Sequence, residues 1–136
     1  MLFRSWEAWE KCNPKELVDK SKYKENITLI DRYVSDEEVN KFFTMADVVV
    51  LPYLRASQSG AAHIATSYGL PVIVSNVGGL KESMKDYAGT FFVKPKDSEN
   101  IKNALLKVYN IKSKRFQNPY SWEKTINKFE EIFKDF

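Results

Sequence analysis

Ser57, Gln58, Ser59 and Gly60 stand in a row just downstream of an apolar run, and Gly78-Gly79 follow the next such run in the same way. Small residues with hydroxyl and amide donors, beside a glycine that lets backbone N–H groups come close, are the materials of an anion site. A helix opening at this point aims the positive end of its dipole at a phosphate. Two glycine-bearing loops on neighbouring strands suggest one shared anionic ligand. The plain structural duties of the same residues are capping for the serines and a turn for the Gly-Gly pair. Tyr33 and Val34 end another β-like run, where an aromatic ring either stacks on a base or packs at the rim. His63 is the sole histidine, and no Asp or Ser stands where it would complete a proton relay, so it reads as a partly buried helix residue. Asp47, at the entry to a strand, ties down a turn.

Elements must exist to hold these loops. Ile27 to Val34, Val48 to Tyr53, Val72 to Asn76 and Thr90 to Val93 are short β-branched or aromatic runs. The second and third are apolar without alternation, as strands covered on both faces must be. Between them lie helical patterns. Ser35 to Ala46 opens with Ser35 and has Glu38 three residues on, the spacing of a capping box. Asp97 to Tyr109 carries Ile101, Ala104, Leu105 and Val108 at helical spacing. Trp122, Ile126, Phe129, Phe133 and Phe136 make one apolar stripe on a last helix introduced by Pro119 and Ser121; the expectation is that Trp122, Phe129 and Phe133 face the core, the alternative being that in a longer parent the helix crosses to a partner domain and is exposed here. Strands alternating with helices predict an α/β fold, a Rossmann-like three-layer parallel sheet. In such sheets ligands collect outside the carboxyl ends of the strands, which selects the loops after Val34, Tyr53, Asn76 and Val93.

Composition bounds the reading. At 136 residues, 43% of them hydrophobic, the chain is expected to form a single domain over 1–136. A net charge of +3, spread along the chain without blocks, gives no sign of nucleic acid. With Cys12 as the lone cysteine there is no internal disulfide, and zinc has too few soft ligands, so neither a metal nor another cofactor is expected. A reducing, cytoplasmic setting fits. No apolar run reaches the length of a transmembrane segment. Before the first strand there is room for about two short helices, rich in Trp6, Trp9 and charges, which read as satellite-core packing or an interface.

From Ile27 onward the order of motifs resembles a known family. "VSDEEVNKFFTMADVVVLPY" is followed by a Gly-Leu-Pro-Val turn at Gly69–Val72, then "VGGLKE" at Val77–Glu82, a Val-x-Pro-x-Asp segment at Val93–Asp97, and a closing "YSWEKTINKFEEIF". Together they resemble the C-terminal, nucleotide-sugar donor domain of retaining family-4 glycosyltransferases of the GT-B fold. The resemblance implies transfer of a hexosyl group, with retention, from a nucleotide-diphosphate sugar donor to a glycan or glycolipid acceptor. It implies further that the chain is a fragment. An N-terminal acceptor domain, the first strand–helix units and the basic residues that grip the donor phosphates would precede it, leaving this chain alone inactive. Peripheral membrane association of the full-length enzyme is compatible with such an acceptor.

One departure stands out. The family carries two glutamates, and counting back from Gly69 puts them at Ala56 and Ile64, both without a carboxylate. The catalytic residues are therefore unassigned. The segment Ala56–Gly60 is similar to a subset in which Gln-Ser-Gly replaces the acidic motif, and there Gln58 supplies hydrogen bonds but no charge. The expected substrate-binding set is Ser57, Gln58, Ser59, Gly60, Tyr33, Val34, Gly78 and Gly79. A non-catalytic GT-B-like binding or assembly module is the alternative, favoured by the lost glutamates. A sugar-nucleotide epimerase of related fold fits the closing helix less well.

Overall fold

A computed structural model describes residues 13–111, 113–120 and 122–134. Trp6, Trp9, Cys12, Ser121, Phe136 and the Trp122 side chain, weighed above, lie outside what it describes. The chain divides into two units, Met1–Asp36 and Glu37–Phe136.

In the first unit, helix α1 (Pro14–Asp19) starts where Asn13 accepts a hydrogen bond from the Lys15 N–H at 3.0 Å and Pro14 fills the first turn. A single 3-10 turn follows at Lys24–Asn26. The strand expected over Ile27–Val34 does not form; these residues carry no regular structure. Ile27 is 42% exposed and Tyr33 85% exposed. Strand preference expresses fit to a half-buried, paired surface, and this run, with Asp31 and Arg32 in its middle, has no ladder partner among the described residues.

The second unit opens with α2 (Asp36–Met45) and continues as β1 (Val49–Leu51), α3 (Gly60–Ser67), β2 (Val72–Ser75), α4 (Leu80–Met84), β3 (Thr90–Val93), α5 (Ser98–Tyr109) and α6 (Trp122–Lys134). The strands form a parallel sheet in the order β1-β2-β3, with Val49 beside Val72 and Val72 beside Thr90. Central β2 is buried throughout. Its Val72 and Val74 pack in one cluster with Phe43 of α2, Ala62 and Ala65 of α3, and Leu80 and Met84 of α4. Ile73 faces the other way, into a cluster with Val93, Ala104 and Val108. Helices therefore cover both faces, which is why the run "VIVS" shows no polar alternation. The architecture is the expected Rossmann-like α/β sandwich, consistent with half of a GT-B fold.

Local rules hold at the helix starts. Asp97 caps α5 by accepting from the Asn100 N–H at 2.8 Å. Tyr87 lies 2% exposed, and its hydroxyl donates to the Leu70 carbonyl at 2.9 Å. After α5 the chain returns to the sheet, where the Phe116 N–H donates to the Gly69 carbonyl at 2.9 Å.

The last helix forms where expected but does not bury its stripe. Ile126 is 52% exposed, Phe129 56% and Phe133 69%, so the expected core role of Phe129 and Phe133 is corrected. Both faces of the sheet are already covered by α2 to α5. Amphipathic spacing says that a helix face favours burial, not what buries it.

Candidate anion site at the start of α3

The loop from Pro52 to Ser59 joins the carboxyl end of β1 to α3. Ser59 adopts extended angles (φ −143°, ψ 112°) and caps the helix, its Oγ accepting from the Ala62 N–H at 3.2 Å. The Tyr53 hydroxyl lies 3.1 Å from the same Oγ. Ser59 is thus buried and its hydroxyl already engaged, whereas Ser57, Gln58 and Gly60 are exposed. Among the described residues, the Gly60 and Ala61 amides have no hydrogen-bond partner, as expected for the first turn of a helix. A Cβ placed on Gly60 meets nothing within 4 Å.

Gly78 and Gly79 are brought to this loop, for a reason the sequence did not disclose. A side chain on Gly78 would run into the Ala56 carbonyl oxygen, and one on Gly79 into that of Ser57. Gly78 also holds φ at +48°, a conformation that L-residues with a Cβ rarely adopt. The two glycines let the backbones of neighbouring loops lie against each other and so fix the height of Ala56 and Ser57 at the sheet edge.

The other candidates are placed differently. Tyr33 and Val34 belong to the first unit, the ring exposed and Val34 half-buried. Ala56 packs against the larger core cluster, and Ile64 is 38% exposed on α3. His63 meets the Tyr120 ring edge-on at 6.1 Å, and its backbone carbonyl accepts from the Thr66 and Ser67 hydroxyls, which is a structural rather than a relay arrangement. Sequence reasoning missed Tyr53 as the residue that fixes Ser59, because a contact across an irregular loop leaves no periodic signal.

Chemically, the start of α3 offers two amides without a hydrogen-bond partner among the described residues and the positive end of a helix, worth about half a charge. Arg55 is exposed in the same loop. The loop offers hydrogen-bond donors and, within residues 52–60, no carboxylate or imidazole.

Residues 9–110 match the family described as Glycosyl transferases group 1. The chain is 29% identical over 112 residues to an uncharacterised glycosyltransferase of Methanocaldococcus jannaschii, a match covering 75% of this chain and 29% of that protein. It is 31% identical over 107 residues to the UDP-Gal:alpha-D-GlcNAc-diphosphoundecaprenol alpha-1,3-galactosyltransferase of Escherichia coli, covering 72% and 28% respectively. The match therefore spans under a third of the length of either relative. With the family match extending from the first unit through α5, the chain belongs to the group 1 glycosyltransferases.

Proposed function

We propose that the chain is the donor-binding part of a retaining GT-B glycosyltransferase, which passes a hexosyl group from a nucleotide-diphosphate sugar to a glycan or glycolipid acceptor. The observation that carries this reading is the start of α3, where two amides have no hydrogen-bond partner among the described residues and a Cβ placed on Gly60 meets nothing within 4 Å. The diphosphate sits there, with the Gly60 and Ala61 N–H groups and the helix dipole stabilising the charge that develops as it leaves. Gln58 adds side-chain hydrogen bonds, and the Gly78-Gly79 loop fixes the rim. The name of the Escherichia coli relative, with its UDP-linked donor and lipid-diphosphate acceptor, supports this choice of substrates. Transfer requires an acceptor-binding domain as the second wall of the cleft, so the 136-residue chain alone transfers no sugar.

Titrating uridine and guanosine diphosphates into the chain, read by amide-resolved NMR, tests the reading. Shifts are expected at residues 57–61. They are expected to vanish in Gly60→Val, whose fold is retained, and to weaken in Gln58→Ala by about 1–3 kcal/mol. Shifts confined to other loops, or untouched by Gly60→Val, would leave Ser57–Gly60 as a helix cap and nothing more. The apolar residues at Ala56 and Ile64 favour a second reading, a non-catalytic module that holds a nucleotide sugar without transferring it. Binding without transfer in the protein extended by an acceptor domain would select that one.

A further inference from the structure

The two ends of the sheet carry opposite charge. The segments leaving the carboxyl ends of β1, β2 and β3 bring Arg55, Lys81, and Lys94 with Lys96, all of them exposed. Among the described residues none of these four has an ion-pair partner, whereas Lys85 and Lys102 are held by Glu82 and Glu99. Asp97 is the carboxylate nearest to them in the loop after β3, and its Oδ1 is engaged by the Asn100 N–H in capping α5. The segments leading into the strands carry Asp47 and Asp86 instead, with Lys85 paired to Glu82. The backbone that presents the last two lysines is constrained as well. The Lys94 N–H donates to the Asn100 Oδ1 at 3.2 Å, and Lys96 holds φ at 60°, a conformation that non-glycine residues rarely adopt.

Resting on the reading that a nucleotide diphosphate binds at the start of α3, we propose that these cations form an electrostatic funnel that draws the donor to the carboxyl edge of the sheet. Lys94 and Lys96 act across space, without touching the ligand. Neighbouring strands lie about 4.8 Å apart, so a loop after β3 stands roughly 10 Å from one after β1. That is about one Debye length at 0.1 M salt and about half of one at 0.02 M. Over such a distance a lysine charge still attracts a diphosphate, and a rim of one sign raises both the local concentration and the arrival rate of an oppositely charged ligand. Arg55 and Lys81 stand nearer. Gly78 and Gly79 lie against the Ala56 and Ser57 carbonyls, which brings the start of α4 beside the loop that carries Arg55. A helix end offers only about half a charge, so a diphosphate leaves most of its own for these side chains to offset.

Titration of uridine diphosphate into the chain at about 0.02 M and about 0.5 M salt, read by amide-resolved NMR, tests this. The variant Lys94→Gln/Lys96→Asn keeps at position 96 a residue that tolerates the left-handed backbone. It is expected to raise the dissociation constant about fivefold at low salt and less than twofold at high salt, with an unchanged melt and the shifts still at residues 57–61. Lys107→Gln/Lys114→Gln removes the same charge from the last turn of α5 and the segment after it, and should change the constant less than twofold at either salt. Absence of shifts at residues 57–61 in the unaltered chain would overturn the diphosphate reading and the funnel together. Shifts there with an affinity indifferent to Lys94→Gln/Lys96→Asn, a loss equal at both salt concentrations, or an equal loss in Lys107→Gln/Lys114→Gln would overturn the funnel alone. So would weakened binding to phosphatidylglycerol vesicles as the sole effect of Lys94→Gln/Lys96→Asn.

Discussion

Adding one methyl group to either of two glycines should separate what builds the α3 loop from what it leaves open. In Gly78→Ala the new Cβ meets the Ala56 carbonyl oxygen, and the backbone there sits at φ +48°. The left-handed placement costs about 1–2 kcal/mol, and relieving the clash by shifting two loop backbones brings the total to roughly 2–4 kcal/mol. For a chain of this size about 1 kcal/mol corresponds to some 3–4 °C, so the melting temperature should fall by roughly 7–14 °C. In Gly60→Ala the methyl meets nothing, and the residue opens a helix in which alanine is preferred to glycine. That variant should melt at the parent temperature or up to about 3 °C above it. Differential scanning calorimetry of the three proteins at one pH gives the comparison. If Gly60→Ala falls as far as Gly78→Ala, the space beside Gly60 is not open, and the contrast between a packed and a vacant glycine is wrong.

Ser59→Ala removes the cap on Ala62 and the partner of Tyr53, and chemical denaturation should show a loss of about 1–2 kcal/mol. Burial pushes the Tyr87 phenol up to about 12 while the Arg115 guanidinium pulls it down, so the unfolded chain loses this proton first. The stability that this phenol contributes is complete below about pH 10 and declines as pH rises toward 12; pH-dependent melts of the parent against Tyr87→Phe should isolate it. Phe43→Ala, at a side chain 1% exposed, should cost about 3–5 kcal/mol in chemical denaturation, whereas Phe129→Ala, 56% exposed, should cost under about 1 kcal/mol.

The parts of the fold legible in the sequence were those where a local pattern and its burial have one cause. β2 lies where its unbroken apolar run puts it, and α5 starts at its own Asp97 cap, because a strand buried on both faces and a capped helix leave direct traces in residue type. The run from Ile27 to Val34 shows the limit: its residues suit a strand, but a strand exists only where another pairs with it. For α6 the periodicity gave the helix and its apolar side, while the covering surface was already spent on α2 to α5. At the candidate site, Ser59 and Gly60 could be placed at a helix start from their types alone. The duty of Gly78 and Gly79 could not, since what they avoid is the backbone of residues more than twenty positions earlier, and a backbone has no letter in the sequence.

Each strand of the sheet lies beside the one before it in the chain, and each crossover holds one short helix. Pairing of β1 with β2, and then of β2 with β3, closes only loops of modest length, so most of the ordering entropy is met locally. Such a sheet can assemble in the order in which it is synthesised, with β1, α3 and β2 docking first and β3 adding to an edge that already exists. The strand-to-helix loop that opens α3 belongs to that first piece, which the Gly78-Gly79 turn bounds on its far side. The start of α3 should therefore take shape early in folding, ahead of β3 and α5, and the Ala62 and His63 amides, both bonded to Ser59, should be among the first to gain protection in pulsed hydrogen exchange.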